Sequence, residues 1–314
     1  MMMVCGILTV SRPLLVTLLV VVCGLFLLNR VVQNIRSGKH KPLRVIIFGS
    51  HCPVWMSALA PEAPVWSLLP DVKMVCNVSS RKKLRLIMAD KGDYHTVIIP
   101  LMENHIAKCP KKYHSLVPGK RALGLLANKA EFAAYVAQNN LDSLVLRHYD
   151  SIDEIVWPVV LKREDLNSGR GIEIVRSREH FESLLLTDEW RTQKYVVEEL
   201  MPGEFEYVTH CICKDGRILW SSTFEYEMFS AMEIRTPDNV KAMRPSSASP
   251  SAISQMEKML APLRYNGPCN VDYKIDADGN MKVFEINPRL GGSLMLPQNV
   301  DYLSHALSCI THNA

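Results

Sequence analysis

Residues 270–293 read NVDYKIDADGNMKVFEINPRLGGS, and this stretch restricts the chain more than any other. Apolar and polar residues alternate on either side of Asp278-Gly279, a dipeptide that favours a two-residue hairpin turn. Pairing the strands across that turn sets Asp272 opposite Glu285. Side chains two apart on a strand share a face, so Asn287 joins Glu285. Two carboxylates and a carboxamide on one face suit an oxygen-seeking divalent cation, Mg²⁺ or Mn²⁺, shared with substrate phosphates. Arg289 follows at the strand end, where a fixed guanidinium neutralises a phosphoryl oxygen. The competing account is a solvated hairpin edge whose acids only keep it soluble. An EF-hand is excluded, because Lys274 and the missing glutamate at the last loop position break its ligand pattern.

The chain has 314 residues, enough for two folded units at about 150 residues each. With 48% hydrophobic and 22% charged residues it can bury a large core. A net charge of +4 gives no sign of a nucleic-acid partner. Residues 14–28 carry no charge, and the basic residues Arg30, Arg36, Lys39, Lys41 and Arg44 follow them. Apolar flanks extend the run towards the roughly 20 residues of a membrane span. The downstream charge orients it with the rest of the chain in the cytoplasm. The expectation is an uncleaved single-pass anchor. A cleaved signal peptide competes poorly, since its positive charge belongs at the other end and no Ala-x-Ala site follows. Nine dispersed cysteines fit buried thiols in a reducing compartment, and Cys211 and Cys213 share one strand face without a second pair to complete a zinc site.

Strands are expected at 43–50, 72–78 and 94–101, with helices from 81 and from 103: a small open α/β sheet. Gly49-Ser-His-Cys-Pro lacks the dinucleotide-binding spacing. A helix over 128–139 would be capped by Asn128, with Lys129 in its first turn. Strands at 157–162, 172–175 and 195–200, a helix near 179–186, and two strands around Lys214-Asp-Gly216 continue the chain. Residues 245–250 read as a loop and 251–263 as a helix. The later part is therefore α+β, with no internal repeat.

Lys162 ends a strand beside a loop containing Ser168, Gly169 and Gly171; a lysine with exposed backbone N–H groups can hold polyphosphate. The strand ending in Glu198, Glu199 and Leu200 offers backbone groups to a purine edge. An acid after Pro202-Gly203 would hold ribose hydroxyls; Glu206 is preferred, with Glu204 as the alternative. In this order the four segments resemble the ATP-grasp superfamily over about residues 123–293. The Glu-Ile-Asn-Pro-Arg-Leu-Gly-Gly-Ser run is their most specific member. The resemblance implies a pre-ATP-grasp α/β domain over 43–118 after the anchor and basic linker of 1–42. An ATP-grasp domain would cover 119–314, with α+β subdomains near 150–200 and 201–300.

It also implies residue roles. Lys129 and Lys162 would contact ATP phosphates, and residues 167–171 would close over them. Glu198 and the Leu200 backbone would hold adenine, and Glu206 the ribose. Asp272, Glu285 and Asn287 would bind one or two Mg²⁺ ions, and Arg289 would stabilise the transferring phosphoryl group. The implied reaction is ADP-forming ligation of a small-molecule carboxylate to an amine through an acyl phosphate. Alternatives are a biotin-carboxylase-like or other non-amide reaction, a kinase, and a tethered nucleotide-binding module without catalysis. Arg235, Lys241 and Arg244 are candidates for the substrate carboxylate. His210 and His305 read as structural.

Overall fold

The strand Leu43–Phe48 (β1) is apolar along almost its whole length, as a parallel strand covered on both faces must be. It pairs in parallel with Val72–Val78 (β2) and His95–Pro100 (β3), in the order β2-β1-β3. The computed structural model describes residues 41–90, 92–110, 112–164, 171–236 and 238–314. The expected anchor, at residues 14–28, lies outside the described residues. Among the described residues no helix is long and apolar enough to cross a membrane. Val45, Ile47, Val97 and Ile99 face a core completed from far along the chain by Leu290, Leu294 and the helix Val300–Asn313.

Five antiparallel strands form the second sheet: Phe205–Lys214 (β7), Arg217–Met228 (β8), Val240–Ser246 (β9), Gly267–Ile275 (β10) and Met281–Asn287 (β11), ordered β11-β10-β7-β8-β9. One face carries Cys211, Val271, Tyr273, Val283 and Ile286, which pack on the helices Lys120–Ala127, Lys129–Gln138 and Pro250–Leu260. Alternation then sends Glu206, His210, Asn270, Asp272 and Glu285 to the opposite face. The seven described cysteines are free thiols. Asn128 caps its helix as expected, accepting from the Glu131 N–H at 3.0 Å.

The third sheet, β5-β4-β6, joins Val159–Arg163 (β4), Ile172–Val175 (β5) and Tyr195–Glu199 (β6). Its other layer is the helix Arg178–Leu185, whose Phe181 packs with Trp190, Leu161 and Val197. Single bridges, Val145 to Val283 and His148 to Glu198, tie one intervening segment to both antiparallel sheets.

Two local expectations change. Residues 245–246 are not loop: they complete β9, where Pro245 sits opposite Phe224 on an edge strand and its missing N–H breaks no ladder. The β10–β11 connection is also one residue longer than a two-residue turn. Asp276 N–H donates to Asn280 O at 2.9 Å, the Asp276 carboxylate accepts from Asp278 and Asn280, and Gly279 takes φ +83°. Three residues, 277–279, therefore turn the chain, with glycine at the left-handed position.

Candidate active site

That longer turn slips the register by one residue, giving Ile275↔Met281 and Tyr273↔Val283. A bulge restores it, because Asp272 then pairs with Glu285 and Phe284 is the extra residue. The acids thus stand opposite one another as the sequence suggests, through two compensating irregularities that it does not announce. The bulge also brings Phe284 onto the same side as Glu285, where both line a cavity of about 110 Å³ between the two antiparallel sheets.

Each expected residue that the structure describes has a definite place. Lys162 and Glu198 lie on one face of the three-stranded sheet, on β4 and β6, and form a buried ion pair. His148 Nε2 stands 3.6 Å from the second Glu198 oxygen. Glu198 therefore reaches the cavity through Lys162, whereas Glu199, Leu200 and Glu206 line it directly. Glu206 is buried and Glu204 exposed, so the structure brings only Glu206 to the site. Lys129 opens its helix close enough to Glu285 to favour that carboxylate. Gly171 is the left-handed residue that returns the loop to β5, its carbonyl accepting from Arg163 N–H at 2.8 Å. Ser168 and Gly169 lie outside the described residues.

On the five-stranded sheet Asn287 Nδ2 donates to Asp272 Oδ2 at 3.1 Å, and Arg289 Nη2 donates to Asn287 Oδ1 at 3.3 Å. Arg289 Nε donates to Glu103 at 2.7 Å, which binds the strand end to the helix Glu103–Lys108 beside the parallel sheet. Burial, with help from Asp272, raises the Glu285 carboxyl above its ordinary range; Lys129, Lys162 and Arg289 pull it back. Burial raises Glu206 likewise, against the opposing charge of Arg235. Lys274 projects from β10 into the same cavity and donates to Met201 O at 3.1 Å; its burial lowers the ammonium pKa. A site crowded with buried acids favours cations. Among the described residues no three His, Cys, Asp or Glu side chains gather on one point. The donor set is two carboxylates and a carboxamide, which fits an oxygen-preferring cation that keeps waters or phosphates in its shell.

A second cavity, of about 350 Å³, lies beyond Asp272 and Glu285 and is walled by His51, Trp55, His210, Arg289 and Ser293. His210 is fully enclosed, with Nε2 2.7 Å from Ser293 Oγ and a pKa held down to about 3, chiefly by burial. It is a neutral structural imidazole, and His305 is exposed on the last helix. Arg235 enters the site, whereas Lys241 and Arg244 pair with Glu227 at the outer strands. Phe284, Lys274 and Glu103 escaped the sequence reading. A buried lysine in a strand was the available signal for one; a bulge and a contact between distant segments leave none.

No protein-family model and no curated protein matches the chain. Solved structures do match. N5-carboxyaminoimidazole synthetase from Staphylococcus aureus, complexed with ADP, is 16% identical over 86% of this chain and 78% of its own, with a TM-score of 0.61. D-alanine–D-alanine ligase from Bacillus anthracis, complexed with ATP, is 13% identical over 87% and 97%, with a TM-score of 0.58. L-amino acid ligase from Bacillus licheniformis is 14% identical over 86% and 75%, with a TM-score of 0.53. At these identities the likeness is one of fold. The chain has the ATP-grasp fold, an α/β sheet followed by α+β subdomains.

Proposed function

We propose that this protein is an ATP-dependent, ADP-forming ligase that activates a carboxylate as an acyl phosphate and joins it to an amine. The observation that carries the reading is the meeting, between two sheets, of the Asp272–Glu285–Asn287 face with Lys162, and of Arg289 with the second cavity behind it. One cavity is lined with groups for a nucleotide and the other with groups for an acid. Glu206 would hold the ribose and the segment 199–201 the base. Lys129, Lys162 and the loop of Ser168, Gly169 and Gly171 would hold the phosphates. Asp272, Glu285 and Asn287 would hold Mg²⁺, which supplies charge neutralisation at the transferring phosphoryl group when bound. Lys162 is kept in place by Glu198, and Arg289 by Glu103, so both cations are positioned before substrate arrives. No side chain need form a covalent bond. The basic residues after 14–28 support tethering of this unit to a membrane, on its cytoplasmic side.

The test uses the full chain in mild detergent with ATP, Mg²⁺ and pooled acids and amines, including bicarbonate, beside Glu285→Ala. ADP and phosphate release that needs both an acid and an amine, and is lost in the variant, is the expected result. Release that needs only an acceptor, or only bicarbonate, would reassign the reaction. Nucleotide binding without turnover would make the protein a binding module.

A further inference from the structure

The chain following β8 turns inward and delivers Arg235 to the centre of the site. Its Nε stands 3.1 Å from Glu206 Oε1 and its Nη2 2.6 Å from Asp272 Oδ1, while the guanidinium lies 4.4 Å from the centre of the Tyr226 ring. Burial works against the charge, and the two carboxylates more than offset it. The third nitrogen, Nη1, is buried without a hydrogen-bond partner, as is Oε2 of the neighbouring Glu233. Leaving such atoms unpaired is unfavourable, so this inward conformation depends on the two ion pairs and the ring.

Its position has a further effect. Arg235, Asp272 and Glu285 line both cavities, so together they form the partition between them. With the partition closed the nucleotide side measures about 110 Å³, below the roughly 300–1,000 Å³ of clefts that hold molecules of this size. One forked cation thus occupies the carboxylates that a nucleotide and its metal would need.

Building on the ligase reading, we propose that Arg235 is a built-in cation that stands in for the divalent metal. It neutralises Glu206 and Asp272 and keeps the cavities apart. It yields both carboxylates when a metal–nucleotide complex enters, and its departure joins the nucleotide cavity to the acid cavity. Metal and nucleotide then bind before the acid can be phosphorylated, and their apparent affinity is reduced by the fraction of molecules in which Arg235 sits inward.

The experiment compares Mn²⁺ binding, followed by the electron paramagnetic resonance of the free ion, for the full chain and its Arg235→Gln and Arg235→Lys variants. Each is titrated with Mn²⁺ alone and with Mn²⁺ plus ADP, without acid or amine, so that nothing turns over. Arg235→Gln should bind Mn²⁺ about tenfold more tightly than the parent, since its competitor is gone. Arg235→Lys, whose single ammonium cannot span both acids, should fall between. In the parent protein, Mn²⁺ with ADP should speed amide hydrogen exchange over residues 229–236. Equal or weaker Mn²⁺ binding by Arg235→Gln, or slower exchange over 229–236, would overturn the proposal. Should that variant not fold, the lysine variant and the exchange measurement decide. Failure of ADP to bind any of the three, with the Mn²⁺ ranking intact, removes the ligase reading and leaves the stand-in role standing.

Discussion

Gly291→Ala probes the packing behind Arg289. The glycine has φ −99° and ψ 155°, which alanine adopts freely, so any effect comes from contact alone. A Cβ there would stand 2.2 Å from His210 Cε1 and 2.6 Å from Nδ1, with Asn270 Cγ at 3.2 Å. The ring cannot retreat, because Nε2 is committed to Ser293 and Phe224 stacks edge-on with a centroid separation of 5.6 Å. Overpacking of this kind costs about 1–3 kcal/mol. Separating His210 from Ser293 leaves buried polar atoms unpaired, at about 1–3 kcal/mol more. A loss of about 3–5 kcal/mol, at about 2–4 °C each, lowers the melting temperature by roughly 10 °C. The assay is thermal and urea unfolding of the parent, Gly291→Ala, His210→Ala and the double variant. Removing the ring frees the space the methyl needs, so the double variant should be more stable than the summed single losses imply, by about 2 kcal/mol. A Gly291→Ala melting temperature equal to the parent's, or strictly additive losses, would refute the reasoning.

Three other expectations are open to direct measurement. Burial and Asp272 raise the folded-state pKa of Glu285 above its ordinary 4.5. Its stabilising contribution is therefore complete below about pH 4.5 and is lost as pH rises through the higher folded value. Without metal, Glu285→Gln should match or exceed the parent's stability, with the gap opening as pH rises from 4.5. Unfolding in EDTA checks this, and a less stable variant at neutral pH would contradict it. Lys162→Met leaves the buried Glu198 with His148 as its remaining ion-pair partner among the described residues and should cost about 3–5 kcal/mol; adding Glu198→Gln should recover much of that in urea unfolding. Deleting Phe284 turns the bulge into a regular ladder that keeps Asp272 opposite Glu285. Stability should change little while affinity for a fluorescent ADP analogue weakens roughly tenfold; unchanged affinity would deny Phe284 a part in the nucleotide cavity it lines.

Much of this architecture is visible in the sequence because it is local. The parallel strands announce themselves as apolar runs, Asn128 as a cap, and Lys214-Asp215-Gly216 as a turn, with Asp215 and Gly216 both at positive φ. Facing acids follow from alternation about Asp278-Gly279, although the turn is longer and Phe284 compensates. What the sequence hides is decided between distant segments. The Glu103–Arg289 ion pair spans 186 residues, and nothing within either local stretch records it. Arg235, Lys241 and Arg244 look alike in a linear reading. Only the inward path of the chain after β8 separates the first, held between two acids, from the others on Glu227.

The sheet that begins the described chain depends on the helix that ends it. Val45, Ile47, Val97 and Ile99 pack with the nearby Trp55, Leu59 and Trp66, but the core they share stays incomplete until Leu303, Ala306, Leu307 and Ile310 arrive, about 250 residues after β1. At a synthesis rate of about 5–20 residues per second, a nascent chain carries that unfinished core for roughly ten to fifty seconds. Emergence from the ribosome and completion of the first core are therefore separate events, and the interval between them is when this chain has most need of a chaperone.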